Sequence, residues 1–200
     1  MLEFSSILVA QANASEVNSI MSMARTLETA IREKKSPSVI QQWCSQLRTD
    51  LLENMPQTAL PQQLLPTPET QSLFQSHCAT CHGAQGKGDG PASIGLEPPP
   101  TDFNDRERAL TRSILGLYDA ISNGIAETSM VAYDQLSDQQ RWSLAFYAGG
   151  LAFEGRPDKV ASTPSLSLES LVNYSPVQLA NEDSARLENV AWLRFSPQVL

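Results

Sequence analysis

The sequence predicts an all-α chain on three observations. Two apolar stripes recur at helical spacing between residues 15 and 55. Ser137-Asp138-Gln139-Gln140 has the form of a capping box that opens an aromatic-rich helix. Two cysteines and a histidine, Cys78, Cys81 and His82, fall on what reads as one helical turn.

The elements follow in order. From Ser15, the apolar residues Val17, Ile20, Ala24, Leu27 and Ile31 share a face, and Glu28 lies four positions before Arg32. Ser36-Pro37 is a helix start, and Ile40, Trp43, Leu47 and Leu51 form a second stripe that ends before Pro56. Together they predict a helical hairpin over 15–55 whose stripes are packing faces with no chemistry of their own. Cys44, beside Trp43 and without a disulfide partner, is expected to be a buried free thiol. Ahead of the hairpin, Ile7-Leu8-Val9-Ala10 and Ala12-Asn13-Ala14 resemble the end of a secretory signal. No Lys or Arg precedes the apolar run, so 1–14 reads as a truncated signal segment.

Pro56, Pro61, Pro66 and Pro68 predict an extended linker over 56–68 and a domain boundary. The next domain is expected over 69–155. Glu69 to Gln75 opens it as a helix with Phe74 in the core, and the Cys78–His82 motif follows. Gly83, Gly86, Gly88 and Gly90 do not make a nucleotide cradle, because Lys87 is followed by Gly88 and not by Ser or Thr. They are expected to let the backbone turn tightly against a flat ligand. Pro98-Pro99-Pro100 imposes an extended segment, and Asp102-Phe103-Asn104 a turn. Ile114, Leu117, Tyr118 and Ile121 then share a helical face that Gly124 terminates. The capping-box helix carries Trp142, Phe146 and Tyr147 toward Gly149. Residues 156–200 read as a linker and a short helical extension, with Ser175-Pro176 as a start and Leu187, Val190 and Leu193 beside Trp192 as its apolar residues; no role is readable for it.

The chemistry concentrates at Ser76-His77-Cys78-Ala79-Thr80-Cys81-His82. C-x-x-C-H is the spacing of a covalently attached haem: Cys78 and Cys81 form thioethers to the porphyrin, and His82 presents a ring nitrogen to the iron. Three other readings compete. Zinc needs four ligands, and only Cys44 and His77 remain to complete a set. A thioredoxin-type pair belongs in a βαβ setting, which is not the pattern here. Plain buried thiols are the third. For the second axial position, His77 is tied to the motif's own edge. Met1, Met21, Met23 and Met55 precede the motif, and Met130 follows it in the polar loop 123–133. Met130 is therefore the candidate axial ligand.

Reading C-A-T-C-H-G-A-Q-G-K-G-D-G-P-A from Cys78, L-E-P-P-P-T-D-F from Leu96, the G-x-x-x-x-x-M loop from Gly124 and L-S-D-Q-Q-R-W-S-L-A-F-Y from Leu136, the chain resembles a class I cytochrome c domain. More closely, it is similar to the extracytoplasmic cytochrome c module of bacterial Ftr-type high-affinity iron permeases. The resemblance implies a class I cytochrome c fold with an N-terminal helical hairpin and a short helical C-terminal extension. It also implies that the domain's first and last helices cross closely, with Phe74 on the aromatic face and Ala145 or Gly149 at the crossing. A backbone carbonyl downstream of the motif should accept a bond from the other nitrogen of His82, with Pro91 as the expected source. Val131 departs from the family's usual proline after the ligand methionine and bears on the loop's stiffness.

A net charge of −8 argues against nucleic acid and anionic membranes and favours a basic redox partner protein. No window approaches the ~18 apolar residues of a membrane span. The function expected is one-electron transfer by one covalent haem c, a carrier and not an enzyme. By resemblance it serves iron uptake beside a fused or separate permease, in the periplasm or at the extracytoplasmic face of the cytoplasmic membrane. The permease's R-E-x-x-E motif is not found here, so the permease would be a further part of a longer protein or a separate chain. The alternative is a stand-alone periplasmic respiratory carrier or a haem subunit of an oxidoreductase.

Overall fold

In a computed structural model, the described residues are 14–53, 60–153 and 166–180, with positions 187, 190 and 191. The signal-like residues 1–13, the first part of the linker at 56–59, residues 156–165, Trp192 and Leu193 lie outside them. Among the described residues every regular element is helical, in keeping with the all-α expectation. None of these helices is long and apolar enough to cross a membrane. The chain divides into two compact units, Met1–Ala59 and Leu60–Leu200.

In the first unit, α1 (Ala14–Arg32) and α2 (Pro37–Glu53) pack on each other. Ile20 and Ala30 are buried, whereas Ile31, expected on the same face, is 56% exposed. The buried face shifts by one residue at this end of α1, to the small Ala30 in place of Ile31. Cys44 corrects a second expectation, for it is exposed and free. Among the described side chains of α2, Val39, Ile40, Trp43, Leu47, Asp50 and Leu51 are half-buried. Val39 and Asp50 lie on the Trp43 side of the stripe, so the seam is rotated away from Cys44.

The second unit begins with 60–66 already docked. Leu60 and Leu64 pack against its core, and the Leu65 amide donates to Ser143 Oγ at 2.9 Å. Helix α3 (Thr67–His77) starts two residues before the expected Glu69, with Pro68 in its first turn, where a missing N–H costs nothing. Cys78 ends α3 and caps the single turn α4 (Ala79–His82). A 3₁₀ turn, Pro91–Ser93, packs on α4. Then come α5 (Arg106–Leu110), capped by Asp105, and α6 (Ile114–Asn123), capped by Ser113 and closed by Gly124 at φ 69°. Helix α7 (Asp138–Gly150) carries the expected capping box: the Gln140 amide donates to Ser137 Oγ at 3.2 Å, and the Ser137 amide to Gln140 Oε1 at 2.9 Å. Two short helices follow, α8 (Leu168–Asn173) and α9 (Pro176–Ala180).

Helix α7 is the spine of this unit. It buries Trp142, Leu144, Ala145, Phe146 and Ala148 against Phe74 of α3 and Ile114 and Ile121 of α6. Helices α3 and α7 cross as expected. Ala145 is fully buried, and Phe74 lies 5.2 Å from the Tyr147 ring centroid. Burying a phenylalanine to this degree contributes about 1.5–3 kcal/mol. Val172 of α8 joins the same core, and Val190 is buried as well. The C-terminal extension, unreadable from sequence, therefore contributes to the domain's interior.

Candidate haem-attachment site

The three motif residues are set by one turn of backbone. The Cys81 and His82 amides both donate to the Cys78 carbonyl, at 3.2 and 2.9 Å, which places both thiols and the imidazole within a single helical turn. Gly90 brings the 3₁₀ turn against the back of this turn. A Cβ there would collide with the Ala79 and Thr80 carbonyls, and one at Gly88 would meet the Pro100 carbonyl at 2.6 Å. The glycines were expected to make room for a flat ligand. At these two positions the room they make is for the chain's own carbonyls.

The partner of His82 corrects the expectation of Pro91. His82 Nδ1 lies 3.1 Å from the Thr101 carbonyl. Pro91 is occupied in the turn that backs α4, while the Pro98-Pro99-Pro100 run carries the extended chain past Gly88 and delivers Thr101 to the ring. A carbonyl only accepts, so Nδ1 carries the hydrogen and Nε2 carries the free lone pair. Phe103 stacks on the imidazole at 4.6 Å and 28°, and meets Phe74 edge-on at 6.3 Å. The ring is thus fixed by one segment, 101–103, through a hydrogen bond and a stacked face. Burial lowers the His82 pKa, opposed in part by the Thr101 bond. This favours the neutral imidazole that a metal requires.

Burial, and then the neighbouring Cys81, push the Cys78 thiol up to about 12. That is the reverse of the lowered pKa of a thioredoxin-type nucleophile. Cys78 and Cys81 are not joined in a disulfide. Among the described residues no group of three or more His, Cys, Asp or Glu side chains is placed to hold a metal ion, which disfavours zinc. Two half-buried thiols on one turn, with a neutral imidazole whose Nε2 is free, fit haem c.

Met130 lies half-buried against the core, in a loop that closes on itself. The Ile125 amide donates to the Met130 carbonyl at 3.0 Å. Beyond Met130, the Tyr133 amide bonds the Ile121 carbonyl at 2.9 Å and its hydroxyl donates to the His77 carbonyl at 2.7 Å. Tyr133 therefore ties the methionine loop to the residue that precedes Cys78. Its pKa is raised by burial and then by Cys78 and Cys81. Thr101, Phe103 and Tyr133 carried no role in the sequence reading. Only for Thr101 was there a local signal, its place at the end of the proline run.

Residues 69–151 match the family model described as Cytochrome c. The segment is a cytochrome c domain. Its cofactor is covalently bound haem c, in keeping with Cys78, Cys81 and His82, and its chemistry is haem-based electron transfer. The cytochrome c match stops short of α8 and α9, although Val172 of α8 lies in the cytochrome domain's core. No curated protein matches the chain. Among solved structures it is similar to a chain of the Kuenenia stuttgartiensis reducing HAO-like protein complex, at 23% identity and a TM-score of 0.40. That match covers 62% of this chain and spans 60% of the other's length.

Proposed function

We propose that the cytochrome c domain is a one-electron carrier with His82 and Met130 as axial ligands. We further propose that it is the extracytoplasmic cytochrome module of an Ftr-type iron uptake permease, working with a basic redox partner. When bound, haem c supplies a one-electron ferrous/ferric couple, whose potential histidine–methionine ligation raises relative to bis-histidine. The chain's own residues do the holding. Cys78 and Cys81 provide the two thioether sulfurs, Thr101 keeps the hydrogen of His82 on Nδ1, and Phe103 fixes the ring plane. Tyr133 tethers the loop that carries Met130. The observation that carries this reading is the 3.1 Å contact between His82 Nδ1 and the Thr101 carbonyl, since it leaves Nε2 as the nitrogen free to bind iron.

The permease assignment rests on the sequence resemblance, and the extracytoplasmic location on the covalent haem and the signal-like residues 7–14. Two measurements test the proposal. Protein matured in a host that attaches haem should gain the mass of one haem and show, when ferric, a sulfur-to-iron charge-transfer band that Met130→Ala abolishes. A band that survives Met130→Ala removes Met130 as ligand. In the source cell, iron uptake should fail when Cys78→Ala and Cys81→Ala remove the haem. Unchanged uptake removes the permease assignment and leaves the electron carrier.

A further inference from the structure

The loop before Met130 is strained and closed at the same time. Glu127 sits at φ +59°, a left-handed conformation that strains a non-glycine residue and persists only where the surroundings hold it. Gly124, at φ +69°, lies so close that a Cβ would meet the Met130 carbonyl at 2.7 Å and the Ala132 amide at 2.9 Å. What holds the middle of the loop is one side chain. Thr128 Oγ1 donates to the Ile125 carbonyl at 2.8 Å and accepts from the Met130 amide at 3.1 Å. The Thr128 amide reaches the same Ile125 carbonyl at 3.2 Å, and the Ile125 amide closes the ring on the Met130 carbonyl. A hydroxyl can donate once and still accept, so no aliphatic side chain of this shape can make both contacts.

We infer that Thr128 is a positioning residue for Met130: its hydroxyl bridges the two ends of the loop and holds the methionine backbone where Val131 imposes no constraint of its own. Proline at 131 would restrict the backbone of Met130 to extended conformations by sterics alone. Among the described residues no backbone bond uses the Val131 amide, so a proline there would break none. Thr128 and a proline at 131 are thus alternative means of stiffening the same residue.

The inference rests on Met130 being an axial ligand, and the experiment separates the two. Added imidazole competes with the methionine for ferric iron, and its apparent affinity, read from the visible spectrum of the haem-loaded protein, reports how firmly the loop holds. Thr128→Val should raise that affinity about fivefold, since a hydrogen bond is worth about 1 kcal/mol net. Thr128→Ser should stay near the parent value, and Val131→Pro added to Thr128→Val should return the affinity toward it. Ser137→Ala, which removes the cap of α7, should lower unfolding stability without moving imidazole affinity, so a general loss of stability is told apart from loop release. If Thr128→Val fails to fold, Thr128→Ala stands in and should raise imidazole affinity in the same way. An affinity within twofold of the parent in Thr128→Val, or in Thr128→Ala when that variant stands in, overturns the inference while a large rise in Met130→Ala keeps the ligand assignment. No rise in Met130→Ala overturns both.

Discussion

The attachment turn and the methionine loop are built on opposite principles. The turn at 78–82 is secured by main chain: helical bonds to the Cys78 carbonyl, a 3₁₀ turn pressed behind it through Gly90, and the Thr101 carbonyl on His82. The loop at 124–130 contains a strained Glu127, leaves Ile125 49% exposed, and relies on the hydroxyls of Thr128 and Tyr133. The difference teaches why one site reads from sequence and the other only in part. Three groups that must approach one edge of a porphyrin fit on a single turn and so sit within five residues. A second axial group has to come from a distant part of the chain and needs side chains to bring it there.

The contrast can be broken at its strong end first. Replacing Cys78 and Cys81 together by alanine should abolish covalent haem, read as the loss of one haem mass in the intact protein. Retention of that mass would mean another anchor exists. Next in size is Gly90→Val, which forces a side chain into the Ala79 and Thr80 carbonyls and should cost about 3 kcal/mol in urea unfolding. A cost near zero would show that the 3₁₀ turn is free to move off the attachment turn. Tyr133→Phe tests the tether between the two segments. It removes the 2.7 Å bond to the His77 carbonyl and should cost about 1 kcal/mol, while haem mass stays unchanged.

The smallest effect is expected away from both segments, at Asp138. The Tyr118 hydroxyl and then the Arg141 guanidinium hold its carboxyl below the ordinary carboxylate range. Its stabilising contribution is therefore present above about pH 4, the unfolded-state value, and is lost as pH falls through the lower folded-state value. Its side chain is 73% exposed, so Asp138→Asn should cost less than about 1 kcal/mol at pH 7 and nothing below that window. A cost that grew on acidification would reverse this sign.

Much of the helical layout was legible from punctuation: Ser36-Pro37, Gly124, the Ser137–Gln140 box and Ser175-Pro176 each mark a helix end where expected. These signals are local, a cap or a fixed φ, and act within one turn. Two expectations that reached beyond one turn were overturned. Cys44 borders the apolar stripe of α2 and is exposed, because the packed seam is decided by the partner helix as well as by the stripe. Pro91 was nearer to His82 in sequence than Thr101 is, but proximity along the chain does not say which strand of a glycine-rich loop passes over the ring.

By itself, the sequence determined that the chain is helical and that Cys78, Cys81 and His82 fall on one turn, because backbone periodicity and a single turn's spacing are properties of neighbouring residues. It also singled out Met130 by elimination among few candidates. Only tertiary structure decided which carbonyl orients His82, that Tyr133 and Thr128 restrain the methionine loop, and that Val172 from beyond the cytochrome c match completes the core. The Thr101 and Tyr133 bonds join residues far apart in the chain, and such bonds leave no period in the sequence that makes them.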